Sequence, residues 1–197
     1  MNHKFRAIVS LCTIVSMATC SQHIVYAKDA NTEIAFQEYQ VKAAFVFNFS
    51  KFVEWPPKTF SSEDAPITIG ILGEDPFGME LEELVPNQIV GARKFVIRRS
   101  RDLENLETCH ILFISRSEKN IIPKILQSLK GKSILTISDI EQFATNGGII
   151  CFIKQSNRIR FQINLEAAKS ADLKISSKLL SLAKIVESGF PAEDSAK

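Results

Sequence analysis

Four short apolar runs constrain this chain more than any other feature. They are Ile67 to Leu72, Ile111 to Ile114, Ser133 to Ile137 and Ile149 to Ile153. Each is too short for a stable helix, and β-branched residues dominate, so each reads as a buried strand. The first three lead into helix-opening signals. Asp75 and Pro76 suit an N-cap and a first helical position, for a helix continuing to about Val85. Ser115 with Glu118 has capping-box spacing, before a helix over Ser117 to Leu129 that Gly131 stops. Ser138-Asp139 opens a short helix through Phe143. Lys94 to Arg99 alternates like a further strand, and Arg158 to Ile163 forms a hairpin with Ile149 to Ile153 around Gln155-Ser156-Asn157. Asn164 caps a helix through Ala171, and Ser176 to Val186 reads as a last helix, with Leu179, Leu182 and Val186 on one face. Residues 188–197 read as a frayed tail. Strands alternating with helices predict a three-layer α/β/α sandwich, its sheet mostly parallel with an antiparallel edge hairpin.

The first 27 residues stand outside that pattern. Lys4 and Arg6 precede an apolar stretch from Ala7 to Ala18, and Val25-Tyr26-Ala27 offers a small-residue cleavage site. This is the layout of an export signal, with a mature single domain over residues 28–197. The apolar stretch is short for a membrane span, and Met17 and Thr19 make Cys20 a poor lipidation site. Removing the leader lowers Lys plus Arg from 24 to 22, equal to the 22 Asp plus Glu. The mature chain is therefore formally neutral, which gives no electrostatic reason to expect nucleic acid as a partner. Periplasmic localisation follows as the expectation. Cys12 and Cys20 leave with the leader, so Cys109 and Cys151 remain, either as one disulfide or as two separate thiols.

Chemistry-bearing motifs are scarce. The chain contains no Walker-type phosphate loop, no G-x-G-x-x-G fingerprint, no G-x-S-x-G elbow and no H-E-x-x-H pair. Cys109, His110 and Cys151 are too few for a structural metal site, and neighbours on a strand point to opposite faces. The expectation is a protein that is not an enzyme and carries no cofactor and no metal. Two candidate sites remain. Ligands of parallel sheets sit outside the carboxyl ends of the strands, where this chain carries Glu74 and Asp75, Ser115 and Arg116, and Ser138 and Asp139. These could line a small-molecule cleft with Arg116 holding an anion, or could merely cap helices. The second candidate is the helix read over residues 33–53, with Val41, Phe45, Phe49 and Phe52 at helical spacing before Trp55-Pro56-Pro57 ends it. Phe47 lies about 200° around the helix from Phe45. Either this helix is buried on two sides, or Phe47, Phe49 and Trp55 meet a partner.

Several blocks in fixed order resemble the YfiR family. They are Tyr39 to Phe49 followed by Lys51 to Pro56, then Gly73 to Gly78, Cys109 to Ser115, Leu135 to Asp139, Asn146 to Ile150, Arg160 to Asn164 and Leu173 to Leu180. The resemblance spans roughly residues 37–186. It implies a periplasmic repressor that acts on the periplasmic sensor domain of an inner-membrane diguanylate cyclase. It further implies a homodimer, control of biofilm through cyclic-di-GMP, and sequestration by an outer-membrane lipoprotein. A small-molecule-binding module using the strand-end cleft is the competing expectation. One departure stands out. Family members often carry a cysteine where this chain has Gly70, able to pair with the position of Cys109, and another near Ala144, able to pair with that of Cys151. With both partners missing, Cys109 and Cys151 are expected to be unpaired.

Overall fold

The computed structural model describes residues 30–84 and 89–189, with side chains from Ile34 onward. The segment read as an export leader, the predicted helix end at Val85 and the last residues of the tail lie outside the described residues.

The apolar runs form strands because they can be buried on both faces. β2 (Ile67–Leu72), β4 (Ile111–Ile114) and β5 (Leu135–Ser138) are buried along their whole length. With β3 (Phe95–Ser100), β6 (Ile150–Gln155), β7 (Arg158–Asn164) and β9 (Lys184–Val186) they make a seven-stranded sheet in the order β3-β2-β4-β5-β6-β7-β9. Its pairings are parallel except for the β6–β7 hairpin. The hairpin is not the edge of the sheet, because β9 pairs outside β7. Two residues of positive φ, Ser156 and Asn157, make its turn, as a two-residue hairpin of this kind requires.

The two-residue period of each strand separates two cores. Ile69, Ile71, Ile111, Phe113, Ile150 and Phe152 face one core, while Leu72, Leu112, Ile114 and Cys151 face the other. Helix α1 (Ala30–Phe49) covers the first face with Ala43, Val46 and Phe49. The short helices α2 (Glu80–Leu84), α4 (Leu165–Ser170) and α5 (Ser177–Leu180) add Leu81, Ala168 and Leu179 there. Helix α3 (Ile122–Ser128) covers the second face with Ile122 and Ile125. Helices on both faces of a mostly parallel sheet make the α/β sandwich that the strand–helix alternation predicts.

Several elements differ from the sequence reading. The last helix ends at Leu180, and residues 184–186 run as β9 beside β7 instead. Leu182 is consequently exposed. Residues 139–143 form turns, not a helix, but they bury Phe143 against Gly148. A Cβ at Gly148 would stand 2.2 Å from that ring, so only glycine fits. Helix α2 begins at Glu80, four residues after Pro76. The segment after Ser115 starts as a 3-10 helix over Arg116–Ile121 and becomes α-helical only as α3. A separate two-stranded antiparallel sheet joins β1 (Val53–Glu54) to β8 (Lys174–Ile175). It ties the chain after α1 to the segment before α5.

Candidate functional site

Helix α1 is buried on two sides. Phe45 and Phe49 pack on Phe161, with ring centroids 5.6 and 5.0 Å away. Phe47, on the other side, packs edge-on against Phe95 at 5.0 Å, and the Lys51 ammonium covers its outer face at 4.4 Å. Phe47 and Phe49 are therefore core residues, and neither offers an exposed contact to a partner. Trp55 is half-buried, and its indole N–H donates to the carbonyl of His110 at 3.2 Å. Val41, read as part of the buried stripe, faces outward and is 45% exposed.

The polar feature of α1 is Lys42, which is 1% exposed. Burying an ammonium demands partners, and the sequence provides them from two directions. Glu38, one helical turn earlier, meets it at 2.6 Å. Asp139, just past the carboxyl end of β5, accepts a hydrogen bond from it at 2.6 Å. Tyr39 lays its ring 4.2 Å from the ammonium and donates its hydroxyl to the same Asp139 oxygen, Oδ2, at 2.8 Å. Burial and the neighbouring Asp139 charge push the Tyr39 phenol well above its usual range, so it remains a donor. Desolvation would raise the Glu38 carboxyl, but Lys42, Lys154 and Arg116 outweigh it and hold it below the ordinary carboxylate value.

The second Asp139 oxygen is treated differently. Oδ1 lies 3.2 Å from Arg116 Nε. The contact is an ion pair without ideal hydrogen-bond alignment, and, against the cost of burial, Asp139 in turn holds the Arg116 guanidinium in its charged form. Asp139 and Arg116 line a cavity of about 260 Å³ together with Glu38 and Lys42, against an apolar wall of Phe152 and Ile159. Lys154 stands at the rim, 3.6 Å from Glu38.

The six residues read as one strand-end cleft are thus divided. Arg116 and Asp139 meet at the cavity. Ser115 and Ser138 serve the backbone: Ser115 Oγ accepts from the Ser117 amide at 3.5 Å, while Ser138 Oγ donates to the Ile114 carbonyl and accepts from the Ile140 amide. Glu74 and Asp75 belong to another cluster. Asp75 accepts from the Phe77 amide and from Arg99, which also pairs with Glu82. Glu74 is exposed beside Arg101. Lys42, Glu38 and Tyr39 were not among the candidates. The four-residue spacing of Glu38 and Lys42 was the available signal, but only the fold brings Asp139 to them.

Both cysteines are free and buried in the second core. Cys151 is level with Ser138, which is level with Ile114. It therefore lies about five residues further along the sheet than Cys109 and two strands across, roughly 19 Å away at 3.3 Å per residue and 4.8 Å per strand. A disulfide needs Cα atoms within about 7 Å. Burial pushes the Cys109 thiol up to about 11 and also raises Cys151. A Cβ at Gly70 would stand 3.3 Å from Cys109 Cβ and 2.8 Å from its sulfur. Glycine there makes room for the thiol.

Among the described residues there is no group of three or more side chains placed to hold a metal ion, and no helix long and apolar enough to cross a membrane.

The fold is a two-core α/β sandwich with a buried ion network at the carboxyl ends of its strands. The chain belongs to the YfiR/HmsC-like family (DUF4154), whose model matches residues 39–184. That family comprises periplasmic regulators of cyclic-di-GMP signalling, and its domain is regulatory, not catalytic. A solved structure of a conserved domain protein from Vibrio cholerae O1 biovar El Tor str. N16961 is similar in fold, with a TM-score of 0.50 at 10% identity. The likeness covers 75% of this chain and 59% of that one, so this chain spans less than two thirds of that protein's length. At such identity it speaks for the fold alone.

Proposed function

We propose that this protein restrains an inner-membrane diguanylate cyclase by docking, from the periplasm, on that enzyme's sensor domain. The observation that carries the proposal is the family match, which runs through nearly all the described chain. The absence of any phosphate loop from the sequence supports action by contact rather than turnover of a nucleotide. With Phe47 and Phe49 committed to the core, we assign the contact to the outer stripe of α1, where Ile34 and Val41 are 53% and 45% exposed. Exposed apolar side chains are suitable anchors in a chain with little net charge for long-range steering. A homodimer, capture by an outer-membrane lipoprotein and control of biofilm belong to the same proposal. Deleting the gene should raise cellular cyclic-di-GMP, and Val41→Asp should reproduce the rise while the protein still accumulates folded in the envelope. An unchanged cyclic-di-GMP level in the deletion strain, under conditions where the protein is made, rejects the reading. Light scattering of the purified protein tests the dimer.

A further inference from the structure

We propose that residues 57–66 form a flap that lies closed over His110 while its ring is neutral and opens when the ring takes up a proton. The inference is independent of the docking surface on α1. It starts from the buried imidazole just before β4. His110 Nδ1 accepts a hydrogen bond from the Thr68 amide at 3.0 Å, so the neutral ring carries its proton on Nε2. That N–H is buried and faces the backbone of Thr59 without completing a hydrogen bond, and Thr59 Oγ1 is also buried without a partner. Unpaired polar atoms weaken the contact between the loop and the strand. The flap has few other anchors, since none of residues 57–66 is buried as a whole. Phe60 stacks on the His110 ring, with centroids 4.5 Å apart and planes at 17°. The Arg93 guanidinium takes the other face of Phe60, 3.6 Å from its centre, and Nη1 donates to the carbonyls of Ser62 and Ala65 at 2.9 and 2.7 Å.

A proton on Nδ1 turns this clasp against itself. Nδ1–H and the Thr68 amide become two donors pointing at each other across 3.0 Å. The imidazolium and the Arg93 guanidinium then stand on opposite faces of one phenylalanine ring, two like charges in a site poor in water. Among the described residues no carboxylate acts on the His110 ring to compensate them. Asp64, on the flap, is fully exposed and lies toward Arg93, while Lys58 reaches out to Asp172 at 3.5 Å. Trp55 stands edge-on at 6.2 Å and offers the ring no acceptor. Turning the imidazolium out into water relieves both conflicts, and it requires Phe60 to lift away. The main-chain bonds of His110, its amide to the Thr68 carbonyl and its carbonyl to the Leu135 amide, do not involve the ring. The flap therefore opens locally, without the sheet coming apart.

The test is amide hydrogen exchange of the purified protein, followed by NMR from pH 7 down to pH 5, with each rate corrected for the intrinsic effect of pH. In the closed form the amides of Thr68, Thr59 and Phe60 bond to Nδ1 and to the carbonyls of Pro56 and Pro57. We expect these three to exchange faster as the pH falls below about 6.5, by up to about tenfold per pH unit, the limit for one proton. The amides of β5 should not change. His110→Asn keeps an acceptor near Thr68 and does not titrate, so it should abolish the acceleration. Arg93→Gln removes the clasp and the opposing charge together. It should move the opening to higher pH, and it serves as a second probe should His110→Asn not fold. Equal acceleration in β5 would mean global unfolding and would overturn the flap, as would exchange at Thr68 and Phe60 that does not respond to pH. Acceleration that survives in His110→Asn, or opening of Arg93→Gln at the same or lower pH, would overturn His110 as the trigger.

Discussion

The two ends of the sheet solve opposite problems. At the carboxyl end, Lys42 and Asp139 bring full charges into the protein and bind them to each other beneath an open cavity. At the amino end, the surroundings of His110 favour its neutral form. Its Nδ1 accepts from the Thr68 amide at 3.0 Å, its ring stacks on Phe60 at 4.5 Å, and the Arg93 guanidinium lies 3.6 Å over that phenylalanine. Burial lowers the His110 pKa first, Arg93 lowers it further, and the backbone of Thr59 acts weakly the other way. One end is held by paired ions and remains accessible. The other is sealed by aromatic rings. Buried ion pairs often add no more stability than well-packed apolar groups of the same size, so the two ends should respond differently to substitution.

The sharpest way to break the comparison is to remove one ion. Asp139→Ala leaves the Lys42 ammonium buried with Glu38 as its remaining anion and should cost about 3–5 kcal/mol of stability, measured by urea unfolding. Replacing both, as Lys42→Met with Asp139→Leu, should recover most of that loss. A double variant as unstable as the single one would show that the network contributes directly to stability. Next in size, Phe47→Ala should cost about 3 kcal/mol, because the ring is buried against Phe95. A loss under about 1 kcal/mol would return Phe47 to the surface.

The amino end makes a pH prediction. Because the folded-state pKa of His110 is depressed, the folded protein binds fewer protons than the unfolded chain. Stability is therefore full above the unfolded value of about 6.5 and falls as the pH drops below it, by at most about 1.4 kcal/mol per pH unit for one proton. His110→Asn, which keeps an acceptor near the Thr68 amide, should flatten the dependence between pH 7 and pH 5.5. An unchanged slope would assign it to other groups. The smallest effect is expected at Arg116→Ala, under about 1 kcal/mol for an exposed partner of a buried carboxylate.

The strands were legible because burial on both faces leaves a continuous apolar run in one sequence. The weaker elements depend on partners far away in the chain. Strand β9 carries Lys184 and Ile185, which become strand only by pairing with Gln162 and Ile163. The leucine spacing before it imitates a helix. The two-residue strands β1 and β8 are defined wholly by each other. The site was half legible for the same reason. Arg116 and Asp139 could be placed by the strand-end rule, since Asp139 directly follows β5 and Arg116 follows β4 after one residue, Ser115. Lys42 could not, because a lysine on a helix is ordinarily solvated, and only the tertiary fold brings Asp139 to it.

The position of the two thiols has a consequence for biogenesis. In the native sheet Cys109 and Cys151 cannot meet, and Gly70 removes the neighbour that a cysteine there would provide. Any intrachain cross-link between them can therefore arise only in a chain that has not yet folded. Such a link would hold β4 and β6 out of register, and it would have to be reduced before the sheet could assemble. In an oxidising compartment, rapid burial of both thiols protects the yield, and a faster-migrating band on a non-reducing gel marks the chains that failed to bury them in time.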